Sequence, residues 1–140
     1  MSALEKPVPV PSVEDRPYWD GAREHRLVLY RCTSCGRLKA RHVIVCSRCR
    51  GEDFEWSAVS GRGRIFSFTV ARQTSTRGFA DEVPYVVVLV AIDEDPSLVI
   101  TTNLVGDFDV DALDLDLPVE AVFEERGDAV VPQFALVGSA

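Results

Sequence analysis

Hydrophobic and polar positions divide this chain into two unlike stretches. From Gly61 onward, short runs rich in β-branched and aromatic residues recur, "RIFSFTVAR", "YVVVLVAI", "LVITTNLV", "VEAVFEE" and "PQFALVG", each bounded by glycine, proline or acidic clusters. That pattern predicts strands joined by turns. Five such strands suit a small Greek-key barrel of the OB type, with a sandwich fragment as the alternative. "PYVVVLVAIDED" is apolar on both parities, which predicts a strand covered on both faces. Phe66, Phe68, Phe108, Phe123 and Phe134 fall mostly within the strand patterns and are core candidates.

Ahead of Gly61 the periodicity is weaker. Residues 1–15 hold Pro7, Pro9 and Pro11 without periodic apolar positions, so they read as an extended, polyproline-like tail able to dock on a partner. Asp15 is a fair N-cap and Pro17 suits a first turn, which predicts a short helix through Tyr18, Trp19 and Ala22 that can extend to Arg26, weakened by Gly21. "LVLYRC" then enters a cysteine knuckle, "KARHVIVC" returns as a second strand, and "DFEWSAV" leads out. The expected organisation is mainly β: a tail over 1–15, a short helix and metal-bound ribbon over 16–56, and the barrel over 57–140.

The candidate chemistry lies in "CTSCGRLKARHVIVCSRC". Two Cys-x-x-Cys turns let Cys32, Cys35, Cys46 and Cys49 converge on one tetrahedral ion, Zn2+ or iron. Four thiolates saturate that ion, so its role is structural, and its binding energy replaces the hydrophobic core that so short a segment cannot build. Gly36 supplies a positive φ after the first knuckle. Arg50 stands in the equivalent place after the second, which predicts a looser turn there. His42 lacks ligand spacing and reads as a hairpin residue. No Cys–His pair remains for nucleophilic catalysis, since only His25 and His42 are left over.

Charge changes this picture. The net charge is -7, yet residues 16–50 carry nine bases and two acids, whereas residues 51–140 carry five bases and seventeen acids. A basic lobe and an acidic one imply different partners. Arginines on the ribbon suggest nucleic acid, but the acidic barrel lacks the basic, aromatic-studded groove that single-strand binding needs, which disfavours that class. The chain contains no apolar run near the roughly 20 residues that span a bilayer. Its first residues have no signal-peptide pattern, so a cytoplasmic location is expected. "SGRGR" reads as a turn opening the first barrel strand or as a phosphate cradle with Arg62 and Arg64. "QTSTRGFADEVPY" reads as a polar loop with Phe79 exposed at the barrel mouth. "DFDVDALDLDLP" spaces its acids like a calcium loop but has Ala112 and Pro118 where glycine and glutamate are needed, which excludes calcium.

The order of parts is more specific than any one part. "PYW", "LVLYRCTSCGRL", the second cysteine pair, "EWSAVSGRGRIFSFTV", "PYVVVLVAID", "TNLVG" and "LPVEAVFEE" follow one another. This series resembles the acyl-CoA-associated proteins that fuse a rubredoxin-like zinc ribbon to an OB-fold. Two departures stand out: "ARHVIV" where the family has a proline-rich turn, and Arg50 where it has glycine. The resemblance implies a non-catalytic accessory subunit of a thiolase-like enzyme, including lipid-transfer-protein-like aldolases that shorten steroid side chains. The partner would then make or break a carbon–carbon bond of an acyl-CoA, and a dimeric partner with two copies of this chain would form a heterotetramer. On this reading Arg62 and Arg64 contact CoA phosphates, and Tyr18, Trp19, Arg37, Arg41 and Phe79 contact the partner.

Overall fold

The computed structural model describes residues 5–138. Helix α1 (Arg16–Arg23) leads into an antiparallel sheet in which β1 (Leu27–Cys32) lies between β2 (Leu38–Lys39) and β3 (Phe54–Val59). Strands β4 (Arg62–Ala71), β5 (Tyr85–Ile92), β6 (Asp95–Leu104), β7 (Pro118–Arg126) and β8 (Ala129–Leu136) close a barrel in the order β4-β5-β6-β8-β7. The five strand patterns of the sequence are thus the five staves of an OB-type barrel, and the sandwich alternative is excluded. No helix among the described residues is long and apolar enough to cross a membrane.

Several local expectations change. The return strand expected over "KARHVIVC" shrinks to Leu38–Lys39. Beyond it the chain swings away to bring Cys46 to the knuckle, and the His42 amide donates to Asp15 Oδ1 at 2.7 Å instead of to a neighbouring strand. In β5 the even positions Val86, Val88, Val90 and Ile92 are buried, while the odd ones are only half-buried. A closed barrel has one inside, so its strands bury one parity even where both are apolar. Phe66 is 59% exposed, not core. The pairing of β4 with β5 shifts between Ile65 and Ser67, and the extra residue of this bulge turns Phe66 outward.

The proline-containing tail lies on its own barrel. Lys6 Nζ stands 3.1 Å from Glu82 and 3.3 Å from Glu124, and a Cβ added to Gly127 would meet Val8. The ribbon and barrel also share a core: Leu27, Leu29 and Leu38 belong to the same buried cluster as Ile65, Val88 and Phe134. Removing their apolar surface from water couples the two parts, at about 25 cal/mol per Å² buried.

Helix α1, weak by its own sequence, is held by packing. Gly21 and Ala22 are buried, and a Cβ on Gly21 would overlap the Val28 side chain of β1. Gly21 therefore lets helix and sheet approach closely here. In an exposed helix Gly→Ala gains up to about 1 kcal/mol. Here Gly21→Ala is expected to destabilise by about 1–3 kcal/mol through overpacking, a reversal of sign that urea melts will read directly.

Candidate metal centre and docking surfaces

The two cysteine turns are built alike. In the first, Cys32 N donates to Arg37 O (2.9 Å) and Gly36 N to Cys32 O (2.8 Å); in the second, Cys46 N donates to Gly51 O (2.9 Å) and Arg50 N to Cys46 O (2.8 Å). The second knuckle is therefore as fully bonded as the first, contrary to expectation. Its cost falls on Arg50, which takes the left-handed φ of 64° where the first turn has Gly36 at 80°. A non-glycine residue there is strained by roughly 1–2 kcal/mol. Arg50→Gly relieves that strain at some loss of unfolded-state restriction, so a gain of about 0.5–1 kcal/mol in the metal-loaded protein is expected from its denaturant midpoint.

These turns bring all four sulfurs within 4.8 Å of one another, with Cys32–Cys49 at 3.6 Å and Cys35–Cys46 at 3.8 Å. Disulfide bonds are about 2.0 Å long, so the cysteines are free thiols. A tetrahedron with metal–sulfur bonds of about 2.3 Å has edges of about 3.8 Å. The cluster fits such an ion. Cys32 and Cys46 are buried, whereas Cys35 and Cys49 face outward.

The electrostatics of the donor set agree. The Cys35 amide outweighs burial and, with the Ser34 amide, holds the Cys32 thiol below its ordinary value. Amides of Cys49 and Arg48 draw Cys46 down to about 6. The Gly51 amide also favours the Cys49 thiolate, but the surrounding thiols, Cys32 foremost, push that group up to about 11. Two sulfurs ionise readily and the last resists, because negative charge is being gathered at one point. A bound cation removes that resistance, and four thiolates leave it no open position for water.

Around this centre the predicted docking residues separate. Tyr18, Trp19 and Arg41 line one groove of about 520 Å³ between the tail, α1 and β6. Tyr18 packs against the core cluster and meets Trp19 edge-on at 5.0 Å. Burial, then the Asp15 charge, raises its hydroxyl to about 12, so it stays protonated. Arg37 and Phe79 lie elsewhere. Arg37 Nη1 donates to Asp95 Oδ1 at 3.1 Å and to Ser97 Oγ. Phe79 is half-buried, 5.1 Å from the Tyr85 ring and 4.9 Å from Lys6 Nζ, rather than exposed at the barrel mouth. Arg62 and Arg64 are exposed on β4, and Arg64 donates to Asp116 O at 2.9 Å. His42 packs on Tyr30 at 5.3 Å, away from the sulfur cluster, in an aromatic group with Phe54 and Trp56.

Asp95 is the residue that sequence reasoning missed. It is 7% exposed and accepts from Leu38 N (3.0 Å), Ser97 N (3.2 Å), Ser97 Oγ (2.6 Å) and Arg37. Burial opposes its charge, but these donors outweigh burial and hold its carboxyl below the ordinary value. The only signal in the sequence was an acid before Pro96 at the head of a strand.

A closed four-thiolate ribbon fused to an OB barrel defines the class of protein. Two family models match in tandem: ChsH2, rubredoxin-like zinc ribbon domain, over residues 19–55, and ChsH2, C-terminal OB-fold domain, over residues 56–124. The DUF35 domain-containing scaffold protein of Methanothermobacter thermautotrophicus is 33% identical over 114 residues, covering 78% of this chain and 83% of that protein. The chain belongs to this ChsH2 (DUF35) family of zinc-ribbon and OB-fold proteins. It is also 34% identical over 113 residues to the probable enoyl-CoA hydratase alpha subunit of Thermomonospora curvata, 79% of this chain but 34% of that longer protein. Over 40 residues, 29% of this chain and 28% of the relative, it is 42% identical to the benzoylsuccinyl-CoA thiolase subunit BbsA of Thauera aromatica. Among solved structures, a chain of the Ltp2-ChsH2(DUF35) aldolase superposes with a TM-score of 0.78 at 28% identity, covering 92% of this chain and 98% of that one.

Proposed function

We propose that this chain is the non-catalytic accessory subunit of a thiolase-like enzyme that acts on an acyl-CoA, stabilising or completing the partner's active site for carbon–carbon bond formation or cleavage. The observation that carries the reading is the superposition on a chain of the Ltp2-ChsH2(DUF35) aldolase, which covers 92% of this chain and 98% of that one. The likeness runs through both the ribbon and the barrel, not the ribbon alone, which supports a subunit of the same kind. Relatives named as a scaffold protein and as a thiolase subunit support the same role.

Within this reading the ion is zinc, bound by Cys32, Cys35, Cys46 and Cys49, and it fixes the ribbon without entering the reaction. The exposed Arg62 and Arg64 of β4 are the candidate contacts for CoA phosphates. Retro-aldol cleavage of a steroid side chain in the cytoplasm, by a heterotetramer of two such chains on a partner dimer, is its most specific form. Co-expression with a candidate thiolase-like partner from the same organism tests the proposal: a co-eluting complex, and turnover that collapses without this chain, are expected. Undiminished turnover by the partner alone, with no complex on a sizing column, refutes it.

A further inference from the structure

Pairing inside the molecule leaves most of its cations over, and one group of them is concentrated on the ribbon. Among the described residues, ion pairs with carboxylates take up Lys6, Arg26, Arg37 and Arg126. Of the eleven cations without such a partner there, Lys39, Arg41, Arg48 and Arg50 fall close together on the ribbon, although the chain carries 22 acids against 15 bases. Arg48 and Arg50 flank Cys49 and offset part of the negative charge that four thiolates leave around a divalent ion. Lys39 and Arg41 are surplus even to that.

The same segment exposes its aliphatic residues. Ile44 is 77% and Val45 45% exposed, on the stretch that the shortened β2 releases toward Cys46. Arg41 precedes them, Arg48 follows, and Lys39, Ser47 and Arg48 meet along an open groove of about 290 Å³. A branched aliphatic centre with cations around it matches the anatomy of a protein interface, an apolar core within a polar rim. It complements a surface of opposite sign. Single-stranded nucleic acid calls for stacking aromatics at such a place, and this segment offers none in its exposed positions.

We propose that the segment from Arg41 to Arg48 is the knob by which the ribbon docks in an apolar cleft rimmed by carboxylates on the thiolase-like partner, with Ile44 as anchor and Arg41 and Arg48 as the rim. This rests on the accessory-subunit reading and adds to it the surface and the chemistry of its counterpart. The ion then has a purpose beyond stability, since it holds a loop without strand pairing in one shape and so lowers the ordering cost of association.

Calorimetric titration of the full chain into the thiolase-like protein that co-purifies with it, at two salt concentrations, tests it. Ile44→Ser is expected to weaken binding about tenfold or more. Arg41→Glu with Arg48→Glu is expected to weaken it about tenfold at low salt and to flatten the salt dependence. Arg26→Glu, a single charge reversal away from the knob, is expected to stay within about twofold. Metal content of each variant separates lost docking from a lost ribbon, and Ile44, already in solvent, can be exchanged without touching the knuckles. Wild-type affinity in metal-loaded Ile44→Ser and Arg41→Glu/Arg48→Glu proteins overturns the knob and leaves the accessory role standing. No complex with the wild-type chain overturns both. Salt-sensitive binding of a single-stranded oligonucleotide or of phosphatidylserine vesicles that needs Arg41 and Arg48, with partner affinity indifferent to them, also overturns it.

Discussion

Stripping the metal with a strong chelator, or substituting Cys46→Ala, is expected to unfold the ribbon and weaken the barrel beneath it. Between Lys39 and Phe54 the chain has no strand pairing, and β2 contributes only two residues to its sheet. What fixes this stretch is the pair of knuckles, whose metal binding in small ribbon-like peptides is worth about 10–16 kcal/mol near neutral pH. Loss of that term is comparable with the whole stability of an ordinary domain, about 5–15 kcal/mol. The damage spreads because Leu38, next to the first knuckle, lies in the core cluster with Ile65 and Phe134. Trp56 meets Tyr30 at a tilt, ring centres 4.6 Å apart, and Tyr30 stacks on Phe54 at 4.6 Å, so Trp56 fluorescence, in a Trp19→Phe background, reports the ribbon directly. An unaltered Trp56 signal and melting temperature after confirmed metal loss is the outcome that sinks this prediction.

The next largest effect is expected at Asp95. Its carboxylate joins β6 to the ribbon through the Leu38 amide and the Arg37 guanidinium, at the point where the two parts meet. Asp95→Ala leaves a buried amide without its acceptor and a guanidinium without its counter-ion. Removing one partner of a buried pair costs about 3–5 kcal/mol. The Arg37 side chain is 31% exposed and can rehydrate, which places the expected loss near the lower end, about 3 kcal/mol. A pH dependence follows from the direction of its shift. Because the folded carboxyl titrates below its ordinary value, its contribution is present above about pH 4 and is lost as pH falls through the depressed value. Asp95→Asn should therefore remove part of the acid-side loss of stability, and an acid limb identical to the wild type's argues against the assignment.

Legibility in the sequence varied with the range of the interaction. The metal site was readable because each Cys-x-x-Cys turn is local and thiolate chemistry dictates the number of donors. The barrel strands were readable from alternation and turn residues. Asp95 was not. Asp93, Glu94 and Asp95 are consecutive, and nothing in their order tells which one is buried; Asp93 and Glu94 are exposed and Asp95 is not. Phe66 and Ile65 likewise look equally apolar, and only the shift in pairing between β4 and β5 decides which of them faces the core.

The arginines of the ribbon make the same point. Arg37 and Arg48 each follow a cysteine knuckle residue closely and carry the same charge, yet one is spent on a carboxylate 58 residues away and the other has no carboxylate partner among the described residues. By itself the amino-acid sequence determined the four metal ligands, the five barrel strands and the segregation of charge, since spacing and periodicity act over a few residues. The tertiary structure alone decided which charges are neutralised, where the tail lies and which apolar side chains stay in solvent. Those outcomes depend on segments distant in sequence meeting in space, where burial and counter-charge compete at each contact.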